Sequence, residues 1–223
     1  MKSIIGNLKS FNRKERFYLV GMALGKPEFR LPKTFRNKVG KELGLQIPAG
    51  AYAAMDYHLD WLYASLFLSV AEAPQNRYDR DAGLITGNQE DIDLLVAFRE
   101  NAKTHLILIE AKGVMSFDNQ QLRSKIERFN KIFDDPNVKK ANVIPHFAIA
   151  SPFEPKKLDL SFYPDWLMVG KKLVWIKIPH LEGIIKGKGL VKIVRCKENK
   201  KPADDGEYWT VVSERKRQKT THI

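Results

Sequence analysis

The sequence predicts an α/β fold, a mixed central sheet flanked by helices, on three observations. Two apolar runs, near 92–98 and 105–111, are separated by the polar stretch Arg99 to Thr104. An amphipathic helical segment, DNQQLRSKIERFNKIF, follows them. A third apolar run, Asn142 to Ala150, ends at Ser151-Pro152.

The elements follow in chain order. Asn12 to Glu15 has the pattern of an N-cap with a capping-box glutamate, so a helix is expected from there to about Leu24, stopped by Gly25. A second helix is expected over Lys33 to Leu43, between Pro32 and Gly44. A third, longer helix is expected over Ala49 to Val70. Its apolar part, Trp61 to Ala71, is too short to cross a bilayer and reads as a buried helix. Pro74 and the polar run Gln75 to Asp81 form a loop.

The runs at 92–98 and 105–111 are expected to be strands joined as a hairpin. Apolar residues on both faces of the second make it an internal strand. In the helix that follows, Leu122, Ile126, Phe129 and Phe133 recur at helical spacing, with Asp118 as N-cap. Beyond residue 165, Leu173 to Ile178, Leu190 to Arg195 and Tyr208 to Val212 read as short strands separated by lysines and by Gly183, Gly187 and Gly189. Arg215 to Ile223 is expected to be a frayed, solvated end. The expected organisation is a helical extension over 1–48, a core over 49–165, and a basic β-rich extension over 166–223 packed on the core.

The charge is uneven. The net is +12, with +8 in residues 1–50 and +8 in 171–223, which leaves −4 between them. Basic flanks suit a polyanionic partner and central carboxylates suit a cation. A nucleic acid, DNA in the first instance, is the expected partner, and no membrane is expected. A homodimer is compatible with the sequence. One cysteine, Cys196, leaves no internal disulfide and no Cys-based zinc site, so a reducing, cytoplasmic setting is expected. The opening MKSIIGNLKSFNRKER lacks the long apolar segment of a signal peptide. His58, His105, His146 and His180 show no metal-ligand spacing. Trp166, Trp175 and Trp209 read as core aromatics before base-stacking ones.

The densest chemistry lies in DIDLLVAFRENAKTHLILIEAKG, residues 91–113. Asp93 opens the first strand, and Glu110-Ala111-Lys112 ends the second. Side chains alternate along a strand, so Glu110 shares a face with Lys112 and with Leu106 and Leu108. If the strands pair, Asp93 comes close to both. Two carboxylates and an ammonium at one sheet edge suit a hard divalent cation and an activated water. The acid-x-Lys triplet alone is weak, because Glu154/Lys156, Glu198/Lys200 and Glu214/Lys216 repeat it. Pro155 argues against a central strand at the first and a polar turn surrounds the second. No room for a supporting helix remains after the third. Only Glu110 has a buried strand before it, an acid at the start of a neighbouring strand, and an amphipathic helix after it.

Over roughly residues 50 to 150 this pattern resembles the PD-(D/E)XK nuclease superfamily, which includes many restriction enzymes, archaeal junction resolvases and phage exonucleases. The resemblance implies a restriction-endonuclease-like core, usually with one more strand before the first acid. Gly83 to Thr86 is the expected position of that strand. It implies metal-dependent phosphodiester hydrolysis on Mg²⁺ or Mn²⁺, with Asp93 and Glu110 as metal ligands and catalytic acids. The carbonyl of Ala111 would be a third ligand and Lys112 the catalytic lysine. Asp91, two residues from Asp93, is the alternative first acid, and Ile92 stands where the family's proline falls. Some branches open the following helix with Gln-Leu-x-x-Tyr. Here Gln121-Leu122-Arg123-Ser124-Lys125 keeps the glutamine, a further catalytic candidate, and ends in lysine. Many members carry an acid on the first core helix, where Asp60 is the chosen metal ligand and Asp56 the alternative. The competing expectation is a non-catalytic nucleic-acid-binding protein with the same fold.

Overall fold

The computed structural model of the chain describes residues 3–12, 14–23, 25, 29–72, 75, 77–78, 83–87, 90–113, 117–180 and 191–213. The elements are α1 (Ile4–Phe11), α2 (Glu15–Ala23), α3 (Lys33–Leu43), β1 (Tyr52–His58), α4 (Leu59–Val70), β2 (Asp91–Glu100), β3 (Lys103–Ala111), α5 (Asn119–Asp134), β4 (Val143–Ser151), β5 (Met168–Val169), β6 (Lys172–Lys177), β7 (Val191–Cys196) and β8 (Tyr208–Ser213). They fall into two compact units, Met1–Ile178 and Pro179–Ile223.

The first unit is α/β, built on a six-stranded mixed sheet of order β1-β2-β3-β4-β6-β5. β1, β2 and β3 are antiparallel neighbours, β4 runs parallel to β3, and β6 runs parallel to β4. The sheet separates two apolar layers, as an internal strand with apolar residues on both faces requires. On one side Leu106 and Leu108 of β3 meet Leu62 and Leu66 of α4, Leu122, Ile126 and Phe129 of α5, and Leu8 of α1. On the other, Ile107 and Ile109 meet Val39 and Leu43 of α3. Each fully buried Leu, Ile or Phe contributes roughly 1.5–3 kcal/mol, so these layers dominate the stability of the sheet.

α3 and α5 form over the residues their patterns predict. α5 starts where Asp118 caps it, the carboxylate accepting from the Gln121 N–H. α3 ends at Gly44, which takes the left-handed conformation with φ 68°. The chain then folds back so closely that a side chain at Gly40 would meet the Leu45 carbonyl. β2 and β3 are longer than their apolar runs, and the hairpin closes through only Asn101 and Ala102, with φ of 47° and 65°.

Four expectations are corrected. The span 49–70 is a strand followed by a helix, since Tyr52–His58 pairs with β2. That strand, and not Gly83 to Thr86, is the additional one before the acids. Thr86 and Gly87 instead donate backbone N–H groups to Asp60. α2 starts at Glu15, so Asn12 stands apart from its first turn; the Asn12 amide donates to the Tyr52 hydroxyl at 3.2 Å. α1, which the sequence did not announce, is capped by Ser3 and buries Ile4 and Leu8. Leu173 to Lys177 belongs to the central sheet as part of β6, so the first unit runs to Ile178.

The second unit holds the β7–β8 antiparallel hairpin, with Ile193 opposite Val211 and Arg195 opposite Trp209. Trp209 is 69% exposed, whereas Trp166 and Trp175 pack against the core of the first unit. Glu214/Lys216, Gly183, Gly187, Gly189 and the end from Arg215 to Ile223 lie outside the described residues, as does most of the polar run to Asp81.

Candidate functional site

β3 carries Glu110 on the same face as Leu106 and Leu108, toward α5. Glu110 is therefore buried, at 2% exposure, beneath that helix. Burying a carboxylate is costly unless a cation and hydrogen bonds compensate it. Lys125 does so. It lies in the buried stripe of α5 with Leu122, Ile126, Phe129 and Ile132. Its ammonium sits 2.5 Å from Glu110 Oε2 and donates to the Asp91 carbonyl at 2.7 Å. The second oxygen, Glu110 Oε1, lies 3.9 Å from Lys112 Nζ. Burial pushes the Glu110 carboxyl above the usual carboxylate range; Lys125 and Lys112 oppose the shift, and the charge of Asp93 adds to it.

Asp93 enters through a local break in the sheet. The β2–β3 ladder runs from Glu100↔Lys103 to Leu94↔Ile109, whereas β3 stays paired with β4 as far as Ala111↔Ala150. Next to the opening, Asp93 Oδ2 accepts the Ala111 N–H at 2.6 Å. A carboxylate thus does what a backbone carbonyl does elsewhere in the ladder. The side-chain alternation slips at the same level. Ile92 and Leu95 both pack in the α4/α5 layer, as do Ala54 and Tyr57 on β1. Between the latter two, Asp56 has φ 48°. The register sets it level with Asp93.

The structure therefore brings Asp93, Glu110 and Lys112 together, with the Ala111 N–H as the link between the acids. Asp91 is held differently: its Oδ2 accepts from Lys14 at 2.8 Å, and Lys14 also lies 5.8 Å from the centre of the Trp61 ring. Asp60 is buried in another network. Its carboxylate accepts the Gly87 N–H at 2.9 Å and the Thr86 N–H at 3.2 Å, and pairs with Arg128, which also binds Glu90 at 3.0 Å. Burial pushes the Asp60 carboxyl up, but those two N–H groups, with Arg128 and His58, outweigh it and leave its pKa below the usual value. No contact of Asp60 with Asp93, Glu110 or Lys112 is found among the described residues. Gln121 is exposed on the first turn of α5.

Lys125 is the residue the sequence reading passed over. Its signal was present, since a lysine between Leu122 and Phe129, beside Ile126, falls inside the apolar stripe. Lys14, Glu90 and Arg128 carried no comparable signal, because each meets its partner only through tertiary folding.

The donor set fits a hard divalent cation. Asp93 and Glu110 each commit one oxygen to the protein and keep another. Among the described residues no group of three or more His, Cys, Asp or Glu side chains converges on one point, so water would complete the shell, as Mg²⁺ tolerates. No protein-family model, curated protein or solved structure matches this chain. Among the described residues no helix is long and apolar enough to cross a membrane.

Proposed function

We propose that the chain is a metal-dependent nuclease of the PD-(D/E)XK type that hydrolyses phosphodiester bonds in DNA with Mg²⁺ or Mn²⁺. The observation that carries this reading is the meeting of Asp93, Glu110 and Lys112 where β2 and β3 part. The order of elements supports a restriction-endonuclease-like core, with β1 as the strand ahead of the acids and α5 linking β3 to parallel β4.

A bound divalent cation supplies charge neutralisation at the scissile phosphate and acidifies a coordinated water. Asp93 and Glu110 would hold that cation through the oxygens not taken by Ala111 and Lys125. Lys112 is partly exposed and stands beside Glu110 Oε1. It orients the attacking water and offsets negative charge on the phosphate during attack, a role suited to a compact ammonium. The basic ends of the chain hold the phosphate backbone.

One observation favours the non-catalytic nucleic-acid-binding protein: Glu110 already has a close ammonium partner in Lys125. Incubation with linear, circular and single-stranded DNA, with Mg²⁺, Mn²⁺ or chelator, separates the two. Under the nuclease reading Lys112→Met and Glu110→Gln each lower cleavage by roughly 10²–10⁴-fold and leave DNA binding intact. A protein that binds DNA but does not cut it, whichever divalent metal is added, is the non-catalytic binder. Cleavage retained in Lys112→Met and lost in Glu214→Gln would move the site to the Glu214/Lys216 triplet.

A further inference from the structure

We propose that Lys125 is a positioning residue of this site, a tether that sets the two acids at their working separation, an assignment that rests on the nuclease reading. Elsewhere in the β2–β3 ladder the backbone fixes the distance between the strands. At the acids the ladder has opened, beyond Leu94↔Ile109. Lys125 reaches across from α5, takes the Asp91 carbonyl on β2 and takes Glu110 Oε2 on β3. One ammonium therefore ties together the two strands that carry Asp93 and Glu110. A second tie is the hydrogen bond from the Ala111 N–H to Asp93.

The tether is buried. Lys125 is 6% exposed and belongs to the buried face of α5 with Leu122, Ile126 and Phe129. It also selects an oxygen. With Oε2 committed to Lys125, Glu110 turns Oε1 toward Lys112, and that is the oxygen left for a cation shared with Asp93. Lys112 and Lys125 thus divide the labour on one carboxylate, the first toward the reaction and the second toward its geometry. Partners that orient metal-binding carboxylates typically contribute 10–100-fold to metal affinity or activity.

The test measures Mn²⁺ binding by titration calorimetry, single-turnover DNA cleavage, DNA affinity in chelator, and thermal melting, all on the full chain. Lys125→Met should lower both Mn²⁺ affinity and cleavage rate about 10–100-fold while DNA affinity in chelator stays unchanged. Lys125→Gln, whose amide can still donate to one of the two acceptors, should recover part of the loss. Added to Glu110→Gln, Lys125→Met should cost no further Mn²⁺ affinity, because the two act through one contact. Should Lys125→Met show no cooperative melting, Lys125→Gln decides. A lysine that merely packs would lower the melting temperature and leave Mn²⁺ affinity and cleavage by the folded variants within about twofold of the unmutated chain, which overturns the proposal. Failure of the unmutated chain to bind Mn²⁺ and to cut DNA would remove the nuclease reading and the tether with it. Binding and cleavage by the unmutated chain, matched by both variants, would remove the tether alone.

Discussion

At the scale of single residues, the candidate site is a study in how buried carboxylates are kept. Glu110 and Asp60 are both buried and both face α5, yet they are held by different means. Glu110 leans on an ammonium and a backbone carbonyl shares that ammonium. Asp60 collects two backbone N–H groups and then the guanidinium of Arg128, whose fork also reaches Glu90. Removing the cation from such a network strands the acids in a region of low polarity. Arg128→Met should therefore destabilise the fold by about 3 kcal/mol, measured by urea unfolding. The Thr86 and Gly87 N–H groups keep the loss from being larger, and a loss below about 0.5 kcal/mol would show Asp60 to be solvated after all.

At the scale of elements, the hairpin of β2 and β3 presents the site and its turn is imperfect. Asn101 and Ala102 both have positive φ, which suits the two-residue turn that follows strand twist and calls for glycine at the second position. Ala102→Gly should relieve that strain and raise stability by about 0.5–1 kcal/mol in the same unfolding assay, net of the glycine's greater freedom when unfolded. Much of this hairpin was legible in the sequence. Alternation set Glu110 with Leu106 and Leu108, and helical spacing set the face of α5. β1 was not legible, for a physical reason. Ala51, Ala53, Ala54 and Met55 favour helix, and the slip at Asp56 erases the period of two that would have marked a strand. Pairing with β2 overrides that preference. Lys125 was visible on the apolar face of α5 but its partner was not, because the sequence shows which face a lysine occupies and not which strand end lies opposite.

At the scale of the whole molecule, a histidine pair couples folding to acidity. His105 and His146 lie on the neighbouring strands β3 and β4, with Nδ1 of the first 3.0 Å from Nε2 of the second. Phe98 stacks on His105, and Glu100 lies 3.6 Å from its other nitrogen. Burial, with His105 beside it, pushes His146 down from 6.5 to about 4. Above pH 6.5 His146 is neutral whether the chain is folded or not. Between pH 6.5 and about 4 the unfolded chain takes up a proton there that the folded one refuses, so stability falls as pH is lowered through that window. Below it the contribution levels off. Urea unfolding across pH 4–7 should show this fall, and His146→Gln should flatten it; an unchanged slope in the variant would assign the acid sensitivity to other groups.

The short turn at Asn101-Ala102 has a consequence in time. It brings Asp93 and Ala111 together across 18 positions of chain, whereas α5 must dock from farther along. Hairpins of this kind close in roughly 1–10 μs, ahead of slower tertiary docking. The two acids therefore meet while water still surrounds them, and mutual repulsion is weak. Dehydration of Glu110 comes with the arrival of α5, and the same motion delivers Lys125. The helix that covers the glutamate is also the one that carries its counter-charge, so burial and neutralisation of Glu110 are supplied by one element.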